Sequence, residues 1–223
     1  PPRSTLSSSS AASDVYKRQV KDWSVKGLQQ SLYFFSRFLN DPHSVASVLP
    51  SSKELSQQMF QGMSFKPGDT ILEYGPGTGS FTRIVHDLQQ KGSELNYLGI
   101  ERDPGMYSHL VKRFPDMVFE QGDVIDVRSI CKKHELAPID FVVSGLPLVY
   151  MGSSLDALLS DTCRVMKPGG IFRTFSYVHC YPLRRANLVR TAMRQAFSES
   201  GVNSLVLKNV PPAFVLHGLK ESI

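Results

Sequence analysis

Cysteine is scarce in this chain of 223 residues, and its three copies, Cys131, Cys163 and Cys180, form no C-x-x-C pair. An odd number at irregular spacing argues against a disulfide framework, and a reduced, cytosolic compartment is the expectation. No Cys/His grouping has ligand spacing, so no metal is expected. Long apolar runs are missing too. No stretch approaches the roughly 18 residues of a membrane-spanning helix, and the chain is expected to be soluble or peripheral. The G-x-x-x-x-G-K-[ST] loop is absent, which argues against ATP or GTP hydrolysis. There is no internal repeat. A 41% apolar content over this length suits one well-buried α/β domain rather than two large ones.

Residues 1–19, "PPRSTLSSSSAASDVYKRQ", are Ser-rich, aperiodic and nearly free of large apolar side chains. Such composition does not build a core. The piece "SSAASDVYKRQ" also resembles the translated read-through of a sequencing-library adapter, so residues 1–19 are set apart from fold reasoning as an artefactual or disordered tail. With the tail goes a net +2 (Arg3, Lys17 and Arg18 against Asp14), and the formal charge falls from +5 to +3. That mild basicity suits an anionic surface without demanding nucleic acid.

What is present has helical and then alternating periodicity. Trp23, Leu28, Leu32, Phe35, Phe38 and Leu39 recur at helical spacing over 20–39, and Asn40-Asp41-Pro42 ends that helix. In "LPSSKEL", Ser51 and Glu54 have the spacing of a capping box opening a second helix that runs to about Met63. Beyond it, strands are expected at Thr70–Tyr74, Tyr97–Glu101, Val118–Gln121, Phe141–Ser144 and Ile171–Tyr177. Helices are expected between them, at Phe81–Lys91, Pro104–Phe114 and Leu155–Val165. This alternation predicts βαβ units and a parallel, doubly wound sheet. "MKPGG", Met166 to Gly170, reads as a turn, and "SLVLKNV" with "AFVLHGL" as a closing strand pair across Pro211-Pro212.

The chemistry-bearing stretch is "ILEYGPGTGSFT", Ile71 to Thr82, a strand followed by Gly75-x-Gly77-x-Gly79 and a helix. Glycines there allow backbone to approach a ligand. Glu101 ends the second strand, where a carboxylate can accept both hydroxyls of a ribose, and Asp123 in "QGDV" ends the third, within reach of an exocyclic adenine amine. "LEYGPGTGSFT", "GIERD" and "QGDV" are similar to the first three motifs of class I S-adenosylmethionine-dependent methyltransferases. The resemblance implies a Rossmann-like, seven-stranded, mostly parallel sheet with the last strand antiparallel. It also implies S-adenosylmethionine as cofactor, with Glu73, Gly75, Gly77, Thr78 and Gly79 along its methionine part. Glu101 and Arg102 would lie at the ribose, Asp123 and Val124 at the adenine, and Ser144 nearby.

The fourth strand ends in "SGLPLVY". Adenine N-methyltransferases carry Asn/Asp-Pro-Pro-Tyr or Asn-Leu-Pro-Tyr there, so that an amide reads the amine and an aromatic ring stacks on the base. Neither Ser144 nor the following Gly145 is an amide and Leu148 is not aromatic, so both base-reading groups are gone. Over Trp23–Lys220 the chain resembles the bacterial phospholipid N-methyltransferases, through "FFSRFLNDP", "VASVLPSSKEL", "SGLPL" and "NVPPAFV". "FSYVHCYPL" departs from that family's usual Phe-Thr-Tyr-Gly stretch. The resemblance implies methylation of phosphatidylethanolamine and its mono- and dimethyl derivatives, at the cytoplasmic face of a membrane. Candidate acceptor-site residues are Ser144, Gly145, Leu146, Pro147 and Tyr177, with His179 behind them. The expected division is tail 1–19, N-terminal amphipathic helices 20–63 facing membrane or covering the site, and a methyltransferase domain 64–223. Arg184, Arg185, Arg190 and Arg194 are candidates for a basic rim toward lipid phosphates. Two rivals stand: an rRNA adenine dimethyltransferase-like enzyme, and a non-catalytic cofactor-binding protein at the membrane.

Overall fold

A computed structural model describes residues 51–136 and 138–222. The tail and the helix expected over 20–39 lie outside the described residues. Helix α1 (Lys53–Phe60) is followed by β1 (Thr70–Tyr74), α2 (Thr82–Gln90), β2 (Asn96–Glu101), α3 (Pro104–Arg113) and β3 (Phe119–Gln121). The second half comprises α4 (Val127–Lys133), β4 (Ile139–Ser144), α5 (Leu155–Val165), β5 (Met166–Tyr177), α6 (Arg184–Ala196), β6 (Glu199–Val206) and β7 (Ala213–Leu219). The strand order is β3-β2-β1-β4-β5-β7-β6. All pairs among β1 to β5 are parallel, and β7 runs antiparallel between β5 and β6. The seven-stranded, mostly parallel sheet is therefore as expected, and β7 coincides with "AFVLHGL", but β6 starts at Glu199 and ends at Val206, so "SLVLKNV" supplies only its last three residues.

The strands bury both faces, as parallel strands between helices must. On one side Ile71, Phe141, Val143, Phe175 and Val215 meet Leu55 and Met59 of α1, Val85 of α2 and Leu110 of α3. On the other, Leu72, Leu98, Val142 and Phe172 meet Ile130 of α4, Leu158 of α5 and Val189 of α6. From β1 the chain winds outward to β2 and β3, then returns to place β4 against β1. The crevice of a doubly wound sheet opens at such a reversal, beyond the carboxyl ends of the strands.

Two local expectations are corrected. Helix α1 is capped by Ser52, not Ser51: the Ser52 hydroxyl accepts from Leu55 N at 3.0 Å. Its own backbone N–H is taken by Asn209 Oδ1 at 3.0 Å, so no glutamate is needed to complete a box, and the helix ends at Phe60 instead of Met63. The "MKPGG" turn lies inside β5. Met166 pairs with Ile139 and Ile171 with Phe141, so the intervening residues swell out as a bulge. Pro168 lacks the N–H a ladder requires, and Lys167 on the bulge reaches Asp140 and, at 3.6 Å, Asp69.

Candidate active site

The glycine turn leaves β1 at the sheet reversal. Gly75 N–H donates to Ile100 O at 2.9 Å, which bends the chain over β2. Gly75, Gly77 and Gly79 all have positive φ, where a side chain is strained, but their surroundings differ. A Cβ on Gly75 would meet Leu146 at 2.5 Å, and one on Gly79 would strike the Phe114 ring at 2.5 Å. At Gly77 the nearest atom would be Gly75 O, 4.0 Å away. Gly75 and Gly79 thus permit close packing, whereas Gly77 leaves open space above bare backbone.

Beneath the turn, Glu101 at the end of β2 accepts from Gly77 N–H at 2.9 Å through Oε2 and from Asp103 N–H at 3.0 Å through Oε1. Burial raises its pKa. Arg102 is exposed and lies 3.5 Å from Asp123 Oδ2, while Asp123 Oδ1 accepts from Ile125 N–H at 3.1 Å. Val124 turns into the core beside α4. Thr78 contributes its carbonyl to Arg113 at 2.7 Å.

Glu73 faces the α2 side and is 1% exposed. Its Oε2 accepts from Tyr97 Oη at 2.7 Å and Thr82 Oγ1 at 2.9 Å, while Oε1 is buried with no partner. Desolvation is the largest cause lifting its pKa to about 7, against the lowering effect of these hydrogen bonds. Tyr97 and Thr82 are hydrogen-bonding neighbours of Glu73 that sequence reasoning missed. A signal existed: Tyr97 stands two residues before Gly99, and a Cβ on Gly99 would lie 2.7 Å from the Tyr97 hydroxyl. The phenol occupies the room that glycine leaves.

At the other wall, Gly145 N–H donates to Tyr74 O at 2.7 Å, and a Cβ on Gly145 would come within 2.6 Å of Gly75 O. The ends of β1 and β4 are that close. Ser144 is fully buried, and its Oγ accepts from Leu146 N–H at 3.3 Å. Pro147 then leads into a short 3-10 turn, Leu148–Tyr150. At the end of β5, Tyr177 stacks on His179 with centroids 5.7 Å apart and planes 11° from parallel. Burial pushes the Tyr177 phenol up to about 12, with Cys180 and Tyr150 adding to it. Burial also holds the His179 imidazole below its ordinary pKa, and both ring nitrogens are buried without a hydrogen-bond partner. Of the four candidate rim arginines, Arg190 is engaged internally: it donates to Tyr181 O at 2.8 Å and lies 4.1 Å over the Tyr181 ring.

The fold thus brings the glycine turn, Glu101 and the Gly145 strand end together, with Asp123 and Arg102 alongside. Open backbone at Gly77, carboxylates at the ends of β1 and β2, and an unpartnered buried oxygen on Glu73 fit a ligand that carries both hydroxyls and positive charge. S-adenosylmethionine is such a ligand. Among the described residues no group of His, Cys, Asp and Glu could hold a metal, and no helix is long and apolar enough to cross a membrane.

Known proteins agree with this geometry. Residues 71–170 match the methyltransferase domain family. An ornithine lipid N-methyltransferase from Singulisphaera acidiphila is 28% identical over 195 residues, 85% of this chain and 96% of that protein. A ribosomal RNA small subunit methyltransferase A from Crocosphaera subtropica is 31% identical over 123 residues, but the match spans 52% of this chain and 44% of that protein. Fibrillarin from Aeropyrum pernix, solved with bound S-adenosylmethionine, superposes with a TM-score of 0.56 at 15% identity, covering 74% of each chain. Motifs, strand order and relatives converge on an S-adenosylmethionine-dependent methyltransferase with the Rossmann-like class I fold.

Proposed function

We propose that this methyltransferase acts on the head-group amine of a membrane lipid, with phosphatidylethanolamine and its mono- and dimethyl derivatives as acceptors. The reading is carried by one contrast. The lipid-modifying relative matches along 96% of its length, whereas the ribosomal RNA enzyme matches along 44%. The Ser144–Tyr150 turn agrees with it, since neither Ser144 nor Gly145 supplies the amide, and Leu148 replaces the ring, that adenine N-methylation uses. The amine of an ornithine lipid is the second reading, favoured by the relative's own substrate.

When bound, the cofactor supplies an electrophilic methyl group on a sulfonium. In this reading the Gly75–Gly79 backbone and Glu73 line its amino-acid part, Glu101 with Arg102 its ribose, and Asp123 with Val124 its adenine. The acceptor has to arrive as a neutral amine, and positioning with exclusion of water does much of the remaining work. The carbonyls of the Ser144–Pro147 turn orient the amine N–H. Tyr177, held protonated by burial, is a donor or a wall rather than a base. Burial disfavours the charged form of His179, so its role in this reading is to orient the amine through a hydrogen bond to a ring nitrogen that has no partner among the described residues.

The test is methyl-labelled S-adenosylmethionine with vesicles containing phosphatidylethanolamine or an ornithine lipid, followed by lipid separation. Label in mono-, di- or trimethylated phosphatidylethanolamine is expected. Label in the ornithine lipid alone would move the acceptor to the second reading. No lipid label despite cofactor binding would sink both and make RNA the next substrate.

A further inference from the structure

Helix α6 carries a face that the sheet does not use. Ala186, Val189, Ala192 and Met193 are buried beneath it, whereas Leu183 is 52% exposed and Leu188 55% exposed. Arg184 and Arg185 stand one helical turn before Leu188 and share its side of the helix. No acidic residue occurs anywhere in α6, RRANLVRTAMRQA, so nothing on the helix balances the arginines. Arg190, two residues beyond Leu188, is engaged with Tyr181. The helix packs against the Leu148–Tyr150 turn, which places this face beside the candidate acceptor site.

A single exposed leucine is ordinary. Two protruding leucines beside arginines that make no ion pair among the described residues form the pattern of an interfacial element: apolar tips enter the head-group layer while guanidinium groups meet phosphates. We propose that the Leu183–Leu188 face of α6 is a docking surface for an anionic phospholipid bilayer. Charge complementarity selects this occupant, and continuity with the Leu148–Tyr150 turn gives it a purpose. A bilayer seated there lies against the side of the site where a lipid amine has to enter. The inference rests on the lipid-acceptor reading for that purpose, not for its chemistry.

The full chain is floated with phosphatidylcholine vesicles with and without phosphatidylglycerol, as wild type, L183S/L188S, R184Q/R185Q and R194Q, the last altering an exposed arginine at the far end of the helix. Binding to anionic vesicles should fall roughly 25-fold in R184Q/R185Q, about five-fold for each arginine. It should fall at least about ten-fold in L183S/L188S and less than about three-fold in R194Q. L183S/L188S should keep its cofactor affinity and its methyl transfer to a short-chain phosphatidylethanolamine dispersed as monomers. Absence of vesicle binding by the wild type, or both double variants binding like it, would overturn the surface. So would an arginine pair that matters only for binding an RNA oligonucleotide. Vesicle binding that follows the variants supports the surface even where no lipid amine accepts a methyl group, a result that would remove the acceptor reading alone.

Discussion

At the scale of single residues, the two carboxylates at the ends of β1 and β2 do different work. Glu101 ties the glycine turn to β2 through Gly77 N–H, so Glu101→Ala removes a charged acceptor and loosens the turn together. Cofactor affinity, measured by calorimetry, should fall by about 1.5–3 kcal/mol, roughly 10- to 150-fold. Unchanged affinity would take Glu101 out of the site. Glu73 is a proton-linked group. Its pKa rises from 4.5 to about 7 on folding, so the folded state keeps a proton that the unfolded chain releases. Its stabilising contribution is therefore greatest at low pH and is lost as pH rises from 4.5 through 7. Glu73→Gln mimics the protonated form. In urea unfolding of cofactor-free protein, it should be more stable than wild type by ~1–3 kcal/mol at pH 8 and close to wild type at pH 5. An equal difference at both pH values would mean that Glu73 is ionised in the fold.

Elements are held by caps and bulges that depend on distant neighbours. Ser52 can cap α1 because Asn209, 157 residues away, takes its backbone N–H. Ser52→Ala should cost about 1 kcal/mol in chemical denaturation and Ser51→Ala a few tenths; the reverse order would restore the cap expected from "SSKEL". The bulge in β5 has the same character. Local composition marks Pro168 and Gly169 as breakers, yet β4 on one side and β7 on the other keep the chain in the sheet. Leu155–Val165 matches its expected helix end for end, because its apolar period and its neighbours agree.

At the scale of the whole molecule, the glycine-turn half of the sheet is distinct from the strands that close it, although Tyr177 at the end of β5 pairs with Ala213 of β7. The glycine turn, Glu101 and Gly145 all come from β1, β2 and β4, while β7 joins β5 to β6 as the last element in sequence. Deleting residues from Ala213 onward leaves β6 without its neighbour and uncovers one edge of β5. Thermal unfolding followed by circular dichroism should then lose its cooperative transition, although every glycine-turn residue is intact. A sharp transition near the wild-type midpoint would show that β6 and β7 are an appendage.

Sequence alone determined the alternation of strands and helices, the glycine turn, and the acids at the ends of β1 and β2, because each is a local pattern written in periodicity and residue type. The lack of an amide at Ser144–Gly145 and of a ring at Leu148 was legible for the same reason. Only tertiary structure decided that Gly77 stands open while Gly75 and Gly79 are packing glycines, since identical residues differ there only by what faces them. It also decided that Tyr97 and Thr82 hold Glu73, that Ser52 caps α1, and that Arg190 turns inward while Leu183 and Leu188 protrude. Burial and partner choice are properties of the packed chain, and residues far apart in sequence set them.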